Sequence, residues 1–394
     1  MPEYIIICQM RLPLKETLKN IQYVAFIAFV VSLVFSESVK LIALYGFMIP
    51  VFFIQLYRRE VRIHLGLLEY GFIAFFLTSV FSGLFASDAL EYLKGLKDVT
   101  RIAVLFFIAA SLAGGRRIAT ILRCLYTATA AMAVFGIVEA FRFHKPLDLH
   151  MLGHYNYTAM YLIIVSNALI GTIVFSGIRT KAMRVAAVFL LFITITATVM
   201  TTMRAAFVTL FIFLAIVALA KRGSIISKAL AAGFAVFAIF AAYVFKPMWT
   251  KLSSGDSLIR RFYIWNYAVK VIAQTRALGT GLNNFKYTFP ATIEGGRSIY
   301  DAHSVYLNAA VQSGAAGLCS LLAIGIGFIR RWLSISGGAF EQEIKYAALG
   351  AALVIFVGGI FDTTLHHETG MLFSILTGFM AGVRVPQRDG SSDS

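Results

Sequence analysis

Charge is what this sequence has least of. Only 14% of its 394 residues are Asp, Glu, Lys or Arg, while 59% are hydrophobic. Soluble domains carry about 25% charged and about 45–50% apolar residues. A water-soluble fold of this size could not cover so much apolar surface. That excludes a cytosolic enzyme, a secreted scaffold and a disordered chain. Cysteine is nearly missing as well. Cys8, Cys124 and Cys319 form an odd set in or beside apolar stretches, which supports neither a disulfide framework nor a zinc cluster. Carboxylates are few, 19 against 35 basic residues, giving a formal net charge of +16. In a soluble protein that excess would point to nucleic acid. Here it reads as loop charge that orients membrane spans, and no nucleic-acid partner is expected.

Long apolar runs are what the chain has instead. A span needs roughly 20 mostly apolar residues, and about 12 such runs occur, at 21–35, 40–56, 66–85, 99–113, 119–141, 158–176, 184–199, 204–220, 226–245, 303–329, 344–361 and 370–384. The segment before Ile21 is polar and basic, and no small-x-small cleavage site follows, so Ile21 opens a retained span. The expected fold is therefore an all-α polytopic membrane protein, one integral membrane domain over 1–394. An even number of spans puts both termini on one side. With the N-terminus inside, every inner loop is basic: Arg58, Arg59 and Arg62 in one, Arg116 and Arg117 in the next, Arg330 and Arg331 in a later one. Both ends are thus cytoplasmic. The tail 386–394 reads as disordered. No repeat of 20–50 residues is visible. No span holds Asp or Glu near its middle, as a proton-coupled transporter or pump needs.

One long outer loop, 246–302, stands out, and a loop of that length between packed spans is usually functional. Within it 257–275 has helical periodicity, with Leu258, Phe262, Trp265, Val269 and Ile272 on one stripe. Arg261 falls at the edge of that stripe, near Trp265, and Arg260 on the far side. The plainer reading is an interfacial helix whose arginines meet lipid head groups. Gly279, Gly281, Gly295 and Gly296 lack the strand and helix start of a phosphate loop and read as tight turns or hinges. Asp301-Ala-His303-Ser304 opens the tenth span. Either Asp301 or Ser304 could cap it, which would put His303 in or beside the first turn, its pKa held down by the helix dipole. A neutral imidazole there could accept a proton; a histidine merely hydrogen-bonded at a helix end is the blander account. Arg204, at the outer start of the eighth span, runs against the positive-inside tendency and either snorkels or faces an anion. Loop 142–157 adds Arg142, His144, His150, His154 and Asn156. His150 and His154, like His366-His367-Glu368, have no further ligand at a typical spacing, so no metal is expected.

Taken in order, Arg204, then Arg261-Phe-Tyr-Ile-Trp265, then Ala277-Leu-Gly279-Thr-Gly281-Leu-Asn-Asn-Phe285, then Ala302-His303-Ser-Val-Tyr306-Leu307 with Gly314 and Gly317, resemble the bacterial O-antigen ligase and polymerase superfamily. Gly153-His-Tyr-Asn156-Tyr-Thr-Ala159 is similar to a further motif of that family. The resemblance implies a metal-independent, inverting glycosyltransferase of the bacterial inner membrane that needs no cofactor. Its donor would be a glycan on undecaprenyl diphosphate at the periplasmic face. The acceptor would be a hydroxyl of lipid A–core oligosaccharide, the product lipopolysaccharide, and membrane lipids its surroundings. Arg204 and Arg261 would bind the diphosphate and stabilise it as it leaves, and His303 would activate or position the acceptor hydroxyl. Arg260, Trp265, Asn156, Tyr306, Arg142 and His154 complete the expected substrate-binding set. One departure is Gln312, where many family members carry Glu. The alternatives are an O-antigen or exopolysaccharide polymerase of the same superfamily and, from another class, a lipid or polysaccharide transporter.

Overall fold

The computed structural model describes residues 2–61, 63–112, 115–149, 152, 154–176, 180–201, 203–222, 256–288, 301–365 and 367–383. Among them every regular element is a helix. In chain order the longer ones are α1 (Pro2–Phe35), α2 (Glu37–Tyr57), α3 (Leu67–Phe81), α4 (Ala89–Ser111), α5 (Gly115–Phe143), α6 (Tyr155–Phe175), α7 (Lys181–Met200), α8 (Arg204–Ala220), α9 (Asp256–Gln274), α10 (Val305–Ser334), α11 (Ala339–Phe356) and α12 (His367–Gly382). Eight of them are long and apolar enough to cross a membrane: α1, α2, α3, α5, α6, α7, α10 and α11. The expected spans at 99–113, 204–220 and 370–384 coincide with α4, α8 and α12, while 226–245 lies outside the described residues, as do 289–300 and the tail.

Burial sorts the helices. α6 is covered on every side, from Thr158 through Gly171, as a helix that is hydrophobic all round must be. α11 lies against it, with α12 alongside. α7 presents Val185, Val188, Phe189 and Phe192 outward, the face that a lipid-bordering helix turns to hydrocarbon. α3 packs along α10 through Gly71 and Gly327, where small residues let backbones approach closely.

α4 departs most from the hydropathy scan. It begins at Ala89, ten residues before the apolar run, because Asp88 caps it: Oδ1 accepts from the amides of Leu90 (2.9 Å) and Glu91 (3.0 Å). Its first four turns carry Glu91, Lys94, Lys97, Asp98 and Arg101, charges that a search for apolar windows passes over.

α10 is broken at Gly314 (φ 73°, ψ −171°). In an unbroken helix Ala315 N would donate to Val311 O. Here it donates to Ala277 O (2.8 Å), and Val311 O accepts instead from Thr280 N (2.8 Å) and Thr280 Oγ1 (3.1 Å). Gly281 N takes Gln312 O (3.0 Å). The expected tight turn at Gly279 and Gly281 is present, both with positive φ, and it stands in for the missing helical hydrogen bonds. The join leaves no room: a Cβ on Gly314 would stand 2.4 Å from Ala277 O. Asn284, fully buried, then ties the turn to the start of α4, accepting from Ser87 Oγ (2.9 Å) and Asp88 N (2.7 Å).

Gly314→Ala should therefore destabilise the protein by at least about 1–3 kcal/mol, read as a lower Tm in detergent. Gly325→Ala on the same helix, whose new Cβ would meet only Phe356 at 3.5 Å, should leave Tm within a degree or two. Equal effects of the two would remove the break from the account.

Candidate functional site

The site forms where helix ends meet. The starts of α2, α4, α6, α10 and α12 and the chain leaving α11 come together at one end of the bundle. Its foundation is an ion network. Lys40, 1% exposed, pairs with Glu37 and Glu368, and Arg101 reaches Asp98 (3.5 Å) and Glu37 (3.6 Å). Removing one member of such a buried set typically costs about 3–5 kcal/mol, because it strands the other charge. Glu368 of the His366-His367-Glu368 run is thus committed to Lys40; His366 lies outside the described residues. Among the described residues no group of three or more His, Cys, Asp or Glu is placed to hold a metal ion.

His303 sits on the turn before α10. Its backbone is left-handed (φ 45°), a conformation that costs a non-glycine residue about 1–3 kcal/mol. Asp301 holds it there: Oδ1 accepts from His303 N (2.8 Å) and from Thr363 Oγ1 (2.9 Å). Ser304, not Asp301, is the N-cap residue, and its side chain makes no capping bond. His303 therefore precedes the helix and does not lie in its first turn. Its ring Nδ1 faces Asp301 Oδ1 at 3.5 Å and Asp362 Oδ1 at 3.7 Å.

Those carboxylates reverse the expected pKa. Asp362 is the main cause, holding the imidazole above its ordinary value; burial opposes it, the Asp301 charge adds to it, and Arg261 subtracts. A helix end is worth only about 0.3–1 kcal/mol to a nearby charge, less than one pKa unit, so two carboxylates within 4 Å prevail. Burial would raise the Asp362 carboxyl, but His303, the Thr363 amide and Arg261 more than offset it and hold it low. With Nδ1 turned to the carboxylates, that nitrogen carries the proton and Nε2 remains for a substrate, the logic by which a carboxylate fixes a histidine tautomer.

α9 supplies the cationic side. The structure corrects its packed face: Ile264, Ala268 and Val271 are buried, with Phe285, Ala302 and Val311 completing a small core against the start of α10. Phe262 and Val269 of the expected stripe are exposed, because the apolar surface facing lipid and that facing protein are equally hydrophobic in sequence. At about 100° per residue, Arg260 and Arg261 flank the buried stripe on opposite edges, so Arg260 is not on the far side. Trp265, on the Arg261 edge, directs Nε1 to His303 O (3.4 Å). That puts Arg261 on the edge facing His303. Arg260 is half-buried, and its Nε has no hydrogen-bond partner among the described residues.

Asn156 joins the cluster, its Nδ2 3.4 Å from Asp362 Oδ2. Other expected residues do not. His154 caps α6, accepting from Asn156 N (3.2 Å). Arg142 stays exposed in the last turn of α5, over the Phe143 ring. Tyr306 OH donates to Phe356 O (2.8 Å) and so braces α10 on α11. Arg204 opens α8, but its side chain, like residues His150 and Gly153, lies outside the described residues. Asp362 was missed by sequence reasoning; its only signal is a carboxylate at the outer end of an apolar run.

Beside His303 opens a cavity of about 690 Å³ that reaches Asp301 and Thr363 and is walled by Lys97, Asn283, Lys286, Asn308 and Gln312. Gln312, at the helix break, donates to Asn308 Oδ1 (3.0 Å). A histidine held by carboxylates, a guanidinium edge and a polar cavity therefore share one end of a helical membrane bundle. Residues 186–322 match the family model described as O-Antigen ligase. Over that segment the chain is similar to the O-antigen ligase family. No curated protein matches the chain. The family segment runs from α7 into α10 and so contains Arg204, Arg260, Arg261 and His303, while Asn156 and Asp362 lie outside it.

With the carboxylates in place, the ¹⁵N shifts of the His303 ring should titrate above about 6.5, the ordinary histidine value. Asp362→Asn should move the midpoint down, and Arg261→Ala should move it up. The stability this pairing contributes is present below the unfolded-state pKa and is lost as pH rises through the folded value. A midpoint unmoved by Asp362→Asn would show that the carboxylate does not act on the ring.

Proposed function

We propose that the protein is an O-antigen ligase of the bacterial inner membrane. It transfers a glycan from undecaprenyl diphosphate to a hydroxyl of lipid A–core oligosaccharide at the periplasmic face, with both termini cytoplasmic. The observation that carries the chemistry is His303, its Nδ1 turned to Asp301 and Asp362 beside the Arg261 edge of α9. The acceptor hydroxyl attacks the anomeric carbon of the donor sugar from the face opposite the diphosphate, so configuration inverts. The new C–O bond forms as the bond to the diphosphate oxygen breaks, and the electron pair leaves with the diphosphate. His303 Nε2 takes the hydroxyl proton, and the carboxylates stabilise the resulting imidazolium. Arg261, with Arg204, balances the charge growing on the departing diphosphate, which guanidinium forks match in pairs. Asn156 holds Asp362, and Trp265 holds the His303 turn. The step needs no metal, because a lipid diphosphate is already a good leaving group.

The raised His303 pKa adds a pH signature. Only the neutral ring is a base, so the rate should climb with pH through a value above the ordinary histidine range.

Purified protein in lipid, given undecaprenyl-diphosphate-linked glycan and lipid A–core, tests the reading by the mass shift of lipid A–core. His303→Ala should lower the rate by about 10²–10⁴, Arg261→Ala by about 10²–10³, and Arg260→Ala far less, all with normal yields of folded protein. Chelator should change nothing. Lengthened donor with untouched lipid A–core would mean a polymerase, and a dead Arg260→Ala beside an active Arg261→Ala would reverse the two edges of α9.

A further inference from the structure

At the end of the bundle opposite His303 lies a second cavity, of about 800 Å³, between α5, α6, α7 and α11. α5 turns one stripe into it, from Arg116 through Ala119 and Arg123 to Tyr126, at the 3/4/3 spacing of a single helix face. Ten residues of helix span about 15 Å, half of a hydrocarbon core about 30 Å thick. The cavity thus runs from the helix ends to about the depth of one leaflet.

Its two parts differ in chemistry. The inner wall is apolar, with Leu169 of α6 and Met183, Ala187 and Leu190 of α7. α7 is the helix whose other face, Phe189 and Phe192 among others, is exposed among the described residues, so the cavity borders the lipid phase. The mouth is charged with both signs: Arg116 and Arg123 on the α5 side, Glu341 and Glu343 on the α11 side. Glu343 is 7% exposed, and its Oε1 accepts from Thr172 Oγ1 (2.8 Å), which is itself 3.1 Å from Tyr126 OH. The carboxylate is thereby fixed at the cavity wall.

We propose that this cavity binds a phospholipid with a phosphoethanolamine head group. The phosphate lies on Arg116 and Arg123, the ammonium on Glu341 and Glu343, and an acyl chain runs along the Leu169 and Leu190 wall. Charge complementarity selects this occupant. A purely anionic lipid would satisfy the guanidiniums but bring no positive charge to the two carboxylates. A choline head group carries the positive charge but no N–H, whereas a primary ammonium offers three donors. Both halves of the mouth are paired only by a head group with a phosphate and a primary amine.

The test uses the full-length protein, delipidated in detergent and titrated separately with phosphatidylethanolamine, phosphatidylcholine and phosphatidylglycerol. Native mass spectrometry counts bound lipid and thermal unfolding reads Tm. Phosphatidylethanolamine should bind at least about tenfold more tightly than the other two and raise Tm the most. Arg123→Gln, at an exposed position, should weaken all three. Glu341→Gln should remove the preference for ethanolamine over choline, and the isosteric Glu343→Gln, which keeps an oxygen for Thr172, should do the same. Phosphatidylglycerol bound as tightly as phosphatidylethanolamine would overturn the proposal. So would equal binding of all three lipids that Arg123→Gln and Glu341→Gln leave unchanged.

Discussion

Backbone polar groups have no water to turn to inside a membrane, so a helix that breaks there needs partners from elsewhere in the protein. The break of α10 at Gly314 is met by the turn from Ala277 to Gly281, which supplies donors to Val311 and Gln312 and an acceptor to Ala315. Much else follows from that exchange. The turn follows directly on α9, so fixing it fixes α9 against the start of α10. It also leads into Asn283 and Asn284, which bind the start of α4. The amphipathic helix, the broken span and the charged start of α4 are thereby tied together, and the cavity beside His303 opens between α4, the start of α10 and the starts of α2, α6 and α12.

Within that frame His303 is held by carboxylates more than by its helix. Asp301 bonds the backbone into a left-handed turn, and Asp362, carried by the chain leaving α11, faces the ring. Strain at a single residue persists only where its surroundings over-determine it. Here two elements distant in sequence do so, and the same carboxylates set the proton affinity of the imidazole. Structure and chemistry at this residue are therefore inseparable: loss of Asp362 would change basicity, and loss of Asp301 would also release the turn.

The two cavities divide the molecule by chemistry. Near His303 the walls are amides and charges already engaged in pairs, Lys286 with Glu91 (3.0 Å) and Arg101 with Asp98 and Glu37, a surface suited to sugar hydroxyls. At the other end the cavity has an apolar wall and a mouth of both signs. One suits a water-exposed saccharide, the other an amphiphile.

Composition alone determined the helical, membrane-spanning class, because so little charge leaves no soluble alternative. Periodicity located α9, and the order of Arg261, the Gly279–Gly281 turn and His303 picked out residues that the fold brings to one end of the bundle. The sign of the His303 pKa shift was not legible, since Asp362 is 59 positions away and only the pairing of α10 with the end of α11 brings the two together. Nor was the packed face of α9. Lipid and protein interior favour the same side chains, so hydrophobic pattern cannot distinguish the side that faces Phe285 and Val311 from the side that faces the membrane. The length of α4 was hidden for the opposite reason: its first turns are charged, and only burial beside α2, α10 and α12 makes a helix of those charges the wall of a site. Sequence supplied the candidate residues. Tertiary contact decided which of them meet, because hydrogen bonds and charge pairs act over a few ångströms and chain position does not report distance.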